Sequence, residues 1–284
     1  MYTVFGASGH TGRIVAERLI AAGKQVRAVV RDAAKAPRGA EPITGNLTDR
    51  AFVERALAGA EAAYLVVPPD LKSRDMIGQN RAIAESYAAG LRAHGVKHAV
   101  SLSSLGAQHT SGIGPATSNA IAETILRPTP TVITFLRPPY FMENLASSVH
   151  PMKSDGVLPV FGGGEQYPFP MIATRDIGEA AAAALLAPPS ATRVVELKGP
   201  RDYSYADAAA IASKILGKKV TATPLPIDAM VPALVQHGGL SPEVAALFRE
   251  MIEAGQRGMF AYTDPASAIT GATPLETVLN ELLV

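Results

Sequence analysis

The first half of the chain is built from two kinds of block. Short apolar runs at 2–5, 25–30, 42–44, 63–67, 99–102 and 132–136 are interleaved with longer stretches of helical spacing, notably 12–22, 50–58, 74–93 and 118–127. Strands that alternate with crossover helices predict a parallel sheet covered on both faces, with right-handed crossovers. Several strands run out into turn-rich segments, "GASGHTG", "VVPPD", "LSSLGA" and "RPPYFMEN". Such loops belong at the carboxyl edge of the sheet, where doubly wound folds bind ligands.

Beyond residue 138 the pattern changes. Proline and glycine crowd into "LPVFGGGEQYPFPM", and strand and helix no longer alternate. "TRDIGEAAAAALLAPP" predicts a helix capped by Thr174, with Asp176 in its first turn, that stops before Pro188. "RVVELKG" reads as a strand and "SYADAAAIASKILG" as a capped helix ending at Gly217. "VTATPLP" reads as a further strand and "SPEVAALFREMIEAG" as a further capped helix. The predicted fold is α/β: a doubly wound parallel-sheet Rossmann domain over 1–138, then a smaller α+β substrate lobe over 139–284 with segments returning to the first sheet.

Composition narrows the function classes. Of 284 residues 48% are apolar and 18% charged, with a net charge of +1, so nothing draws the chain to nucleic acid or an anionic membrane. The absence of cysteine excludes disulfides, thiolate metal sites, iron–sulfur clusters and cysteine nucleophiles. The N-terminus enters a strand without a basic start or cleavage pattern, and the alanine-rich run from Ala180 is far short of a membrane span. A soluble, cytoplasmic protein with a small-molecule electron acceptor as partner is expected, with a homodimer as the one assembly considered.

The chemistry starts at the first turn. Gly6, Gly9 and Gly12 recur at every third position between the first strand and its helix. In that context one glycine permits the turn, one lets the backbone approach a pyrophosphate, and one lets the helix pack on the strand. The helix start supplies free amides and a positive dipole end for the phosphates. The second strand ends in "AVVRD", where an acid suits the ribose of NAD and an arginine the extra phosphate of NADP. Arg31, with Lys35 and Arg38 beyond it, favours NADP(H); Asp32 also reads as a turn residue or local cap.

These segments, with "GNLTD" at 45–49, "SLSSLGA" at 101–107, "LRPPYFMEN" at 136–144, "RDIG" at 175–178 and "GPRDYSYADAAAIASKILGKKV" at 199–220, resemble in order the NmrA-like proteins. These are atypical short-chain dehydrogenases/reductases that include NADPH-dependent quinone reductases, triphenylmethane-dye reductases and redox-sensing regulators. The resemblance implies that Gly6, Ser8, Gly9, His10, Thr11 and Gly12 form the phosphate loop and that Arg31 reads the 2′-phosphate. It places Asn46, where the family commonly has an acid, and Leu47 beside the adenine, and Val66, Val67 and Pro68 along the nicotinamide ribose. It puts Ser103 and Ser104 at the position of the usual family serine, and Tyr140, Phe141 and Asn144 along the nicotinamide and substrate cleft. Tyr140 reads equally as core filler.

One departure stands out. Ordinary short-chain dehydrogenases carry Tyr-x-x-x-Lys on the helix after the fifth strand, a pair one turn apart that delivers a proton. Here that helix reads "SNAIAETIL", with Asn119 and Glu123 at the corresponding spacing. A localised alkoxide would then lack its proton donor, whereas a quinone gives a delocalised anion that water can protonate. The leading reading is therefore an NADPH-dependent reductase of quinones or similar conjugated acceptors; the alternative is a non-catalytic NADP(H) redox sensor acting through a protein partner. His94 and His98 have helical spacing but no third ligand, so no metal is expected. Glu123, Glu143 and Asp176 read as separate surface carboxylates.

Overall fold

The computed structural model describes residues 1–284. Its centre is an eight-stranded sheet. In the first half, β1 (Tyr2–Phe5), α1 (His10–Ala21), β2 (Val26–Val30), β3 (Glu41–Thr44), α2 (Arg50–Leu57), β4 (Ala62–Leu65), α3 (Met76–His94), β5 (His98–Leu102), α4 (Thr117–Leu126) and β6 (Val132–Arg137) follow in order. The second half adds β7 (Tyr140–Phe141), α5 (Val149–Ser154), β8 (Val157–Phe161), β9 (Met171–Ile172), α6 (Thr174–Leu186), β10 (Arg193–Lys198) and α7 (Tyr205–Leu216). It closes with β11 (Thr221–Leu225), α8 (Met230–Gln236), α9 (Pro242–Gln256), β12 (Ile269–Thr270) and α10 (Leu275–Leu283).

The sheet order is β12-β10-β6-β5-β4-β1-β2-β3, with every neighbouring pair parallel. The order reverses between β1 and β4, the switch point at which such sheets bind ligands beyond their carboxyl ends. Successive strand residues face opposite sides. Phe5 joins a core with Val53, Leu57, Tyr87, Leu91 and Phe135, whereas Val4 joins Val15, Leu19, Ala28, Ile177 and Leu185 on the other face. A third core, containing Met142, Leu158, Ile211 and Leu279, belongs to the second half. β10 and β12 return to extend the sheet beside β6, while β8 pairs with β11 and β7 with β9 apart from it.

Several expected boundaries move. The strand read over 63–67 ends at Leu65, and the Val66 carbonyl instead accepts the Tyr87 hydroxyl at 2.8 Å. The first helix starts at His10, so His10, Thr11 and Gly12 form its first turn. Thr174 does not cap α6: the N-cap is Ala173, and the Glu143 carboxylate accepts from the Thr174 amide at 2.9 Å and hydroxyl at 2.6 Å. The cap comes from another segment because Glu143 lies two residues past β7, which is paired with β9 immediately before α6. Gly178 lets α6 sit on α1, since a Cβ there would stand 2.6 Å from Ile14 Cβ.

Helices α8 and α9 form a hairpin across the loops of the carboxyl edge. The Ser241 amide and hydroxyl donate to the Leu71 and Ser73 carbonyls at 2.9 and 2.6 Å. Glu250 accepts from the Gly114 amide at 3.0 Å, and Gln256 donates to the Gly162 carbonyl at 3.0 Å. Gly114 is glycine by necessity: its φ is +59° and a Cβ would lie 2.2 Å from the Leu247 carbonyl oxygen.

Candidate functional site

The three glycines of the first loop differ in what they do. Gly6 holds φ at +67°, a turn that side chains resist. Gly12 lies so close to the loop that a Cβ would stand 2.3 Å from the Gly6 carbonyl oxygen. Gly9 is different. Its φ of −83° and ψ of 173° suit any residue, and a Cβ would meet only the Gly6 oxygen, at 3.3 Å. The fold has no need of glycine there, and the bare backbone faces the switch point.

No side chain caps α1. The amides of its first turn lack intrahelical partners and are free for an anion. Gly9 and His10 are exposed and Ser8 is half-buried, while the Thr11 hydroxyl accepts from the buried Tyr64 hydroxyl at 2.9 Å. Arg31 is exposed just past β2, and Asp32 caps the following turn by accepting from the Ala34 amide at 3.0 Å. The donor set and the open cradle at Gly9 fit the diphosphate of a dinucleotide.

Other expected site residues carry structure as well. Asn46 accepts from the Thr48 amide and hydroxyl at 3.0 and 2.9 Å, leaving only its amide NH2 free. Leu47 is half-buried against the core behind β1 and β5. Val66 and Val67 pack on opposite cores, and a Cβ on Gly6 would meet Val66 Cγ1 at 3.3 Å. Pro68 is exposed at the loop.

The two serines at the end of β5 are turned inward. Ser103 is buried and its hydroxyl donates to Glu123 Oε1 at 2.6 Å. The Ser104 hydroxyl donates to the Leu105 carbonyl at 2.8 Å. Glu123 is no surface carboxylate. It is 4% exposed and takes Arg137 through both oxygens at 2.8 Å, with Arg127 adding 3.1 Å. Asp176 is likewise committed, accepting from the Thr273 amide and hydroxyl at 2.9 and 2.7 Å. Arginine two residues before a turn gave no signal that its partner would lie on the helix before it.

Tyr140 and Phe141 straddle the seam between the two halves. Phe141 packs on the core beneath α1 and α6, and Tyr140 on the core of the second half. The Tyr140 ring meets Phe169 edge-on at 5.6 Å, and Phe169 meets Tyr205 at 5.1 Å. Phe169 and Tyr205 were not singled out in the sequence, because only the pairing of β7 with β9 and the bridge of Phe169 to Tyr203 bring these segments together. Burial, followed by the neighbouring Tyr205 hydroxyl, holds the Tyr140 hydroxyl well above the ordinary phenol range. Asn144 is exposed.

Comparison with known proteins follows this geometry. The NmrA-like family model matches residues 2–258. The (4-alkanoyl-5-oxo-2,5-dihydrofuran-3-yl)methyl phosphate reductase of Streptomyces griseus is 30% identical over 93% of this chain and 90% of its own. Quinone oxidoreductase 2 of Escherichia coli is 28% identical over 95% and 94%, respectively. The solved NADPH complex of an Escherichia coli NADPH-dependent quinone oxidoreductase superposes with a TM-score of 0.80 at 25% identity, covering 100% of both chains.

Proposed function

The chain belongs to the NmrA-like family, and on that premise we propose that it is an NADPH-dependent reductase of quinones or similarly conjugated acceptors. It is an NAD(P)H-dependent oxidoreductase. The observation that carries the cofactor is Gly9, whose missing side chain answers to no demand of the fold. The first-turn amides of α1 hold the diphosphate, and Arg31 holds the 2′-phosphate. Val66, Val67 and Pro68 border the ribose next to the reacting ring, while Tyr140 and Phe141 wall the acceptor side. When bound, NADPH supplies a hydride.

The acceptor class follows from what the residues lack. The helix after β5 carries Asn119 and Glu123 in place of a Tyr/Lys pair, and Glu123 is spent on Arg137 and Ser103. An isolated ketone would become a localised alkoxide, with no Tyr/Lys pair to deliver its proton. A quinone becomes a delocalised anion that water protonates afterwards. Positioning alone can then contribute up to ~7–11 kcal/mol. Quinone and unsaturated-lactone groups, which the names of the relatives carry, are conjugated, and that likeness supports the same class here.

The test is NADPH consumption, followed by loss of its absorbance, against a panel of quinones, dyes and simple ketones. Quinones or dyes should be turned over fastest. An aliphatic ketone that outpaces every quinone, or NADPH consumption with none of them, would sink this reading.

A further inference from the structure

Hydride transfer to a quinone leaves negative charge on an acceptor oxygen, and the site has few groups to meet it. The Ser103 hydroxyl is committed to Glu123 at 2.6 Å and the Ser104 hydroxyl to the Leu105 carbonyl at 2.8 Å. Neither serine has a proton left to offer the cleft. Ordinary members of the wider enzyme class use that serine as a donor; here a buried carboxylate has taken it.

Tyr140 is the remaining candidate hydroxyl. Its ring is fixed edge-on against Phe169 at 5.6 Å, and its backbone is paired with Met171. It stands on the seam, with Phe141 beside it packed on the opposite core. The group beside its hydroxyl is that of Tyr205, which can accept or donate. Burial also keeps it protonated at any working pH, so it remains a donor.

We propose that Tyr140 is a catalytic residue, whose hydroxyl donates a hydrogen bond to the acceptor oxygen that gains charge. The inference rests on the reductase reading above. In the step, the quinone takes a hydride, two electrons and one hydrogen, from NADPH, leaving NADP⁺. The resulting hydroquinone anion is held at its oxygen by Tyr140 and then takes one proton from water. Tyr140 keeps its own proton throughout. Preorganised donors of this kind act on the charge that develops, so they raise kcat more than they lower KM.

The test compares two acceptors in the unaltered protein and in Tyr140→Phe. Menadione places charge on oxygen; malachite green accepts hydride at a cationic carbon and becomes neutral, with no oxygen to stabilise. Phenylalanine preserves the aromatic wall, and an unchanged thermal midpoint checks the fold. Expected is a fall of about tenfold to a hundredfold in kcat for menadione, with KM little moved and dye turnover within about twofold. Equal losses for both acceptors, or none for either, overturn the proposal. Asn119→Ala and Asn144→Ala serve as controls: a selective menadione loss in either, with Tyr140→Phe silent, assigns the donor there instead. If the unaltered protein binds NADPH yet reduces neither acceptor, the reductase reading falls and the proposal with it.

Discussion

On the proposed reading, Gly9 and Arg31 divide the work of recognition at the scale of single residues. Because Gly9 has an ordinary extended φ of −83°, Gly9→Val should fold normally by circular dichroism yet lose NADPH binding by calorimetry. Binding retained by that variant would move the nucleotide elsewhere. Arg31→Ala should weaken NADPH by roughly tenfold to a hundredfold, the value of about 1.5–3 kcal/mol for a hydrogen bond to a charged group, and NADH little. Equal weakening of both would show that Arg31 does not read the phosphate. Both residues stand out in the sequence because their surroundings are local: a turn, a strand end and a helix start within one βαβ unit. Glu123 was not, since its main partner Arg137 lies on a different element. Asn46 carried only half its meaning, its oxygen being used by Thr48 two residues on.

Among the elements, α4 and β6 are joined by that ion pair, with Glu123 and Arg137 only 4% and 6% exposed. Removing one partner of a buried pair strands the other charge, which costs about 3–5 kcal/mol. Glu123→Gln should therefore lower the denaturant midpoint markedly with the slope unchanged, whatever it does to turnover. Replacing both residues, Glu123→Leu with Arg137→Met, should recover much of the loss. An unchanged midpoint in Glu123→Gln would mean the pair adds nothing. Caps show the same contrast between local and distant. Ser204 and Asp207 cap α7 reciprocally, as the sequence predicts. Thr174 reads as a cap just as well, but Glu143 reaches α6 first.

For the whole molecule, His98 links stability to pH from the opposite, amino edge of the sheet. Neither ring nitrogen has a hydrogen-bond partner, and burial, followed by the nearby Arg193, lowers its pKa to about 4. The unfolded chain, with histidine near pH ~6.5, binds the proton more readily than the folded one. The contribution of neutral His98 is thus complete above about pH 6.5 and is lost as the pH falls toward 4, about 2 kcal/mol after screening. His98→Leu should flatten that limb of a stability–pH curve; an identical acid limb in both proteins would clear His98 of the effect. The alternation of apolar runs by itself determined the parallel sheet, its helices and the glycine loop, because a strand, its crossover and its turn are encoded in adjacent residues. The short strands β7, β9 and β12, at two residues each, have no periodicity to read. Only the tertiary structure decided that Tyr140 meets Phe169 and Phe169 meets Tyr205, that the Ser103 hydroxyl donates to Glu123, and that α9 ties the carboxyl-edge loops together. Each of those contacts joins segments far apart in the chain, and its energy exists only once the sheet has brought them within hydrogen-bond or van der Waals reach.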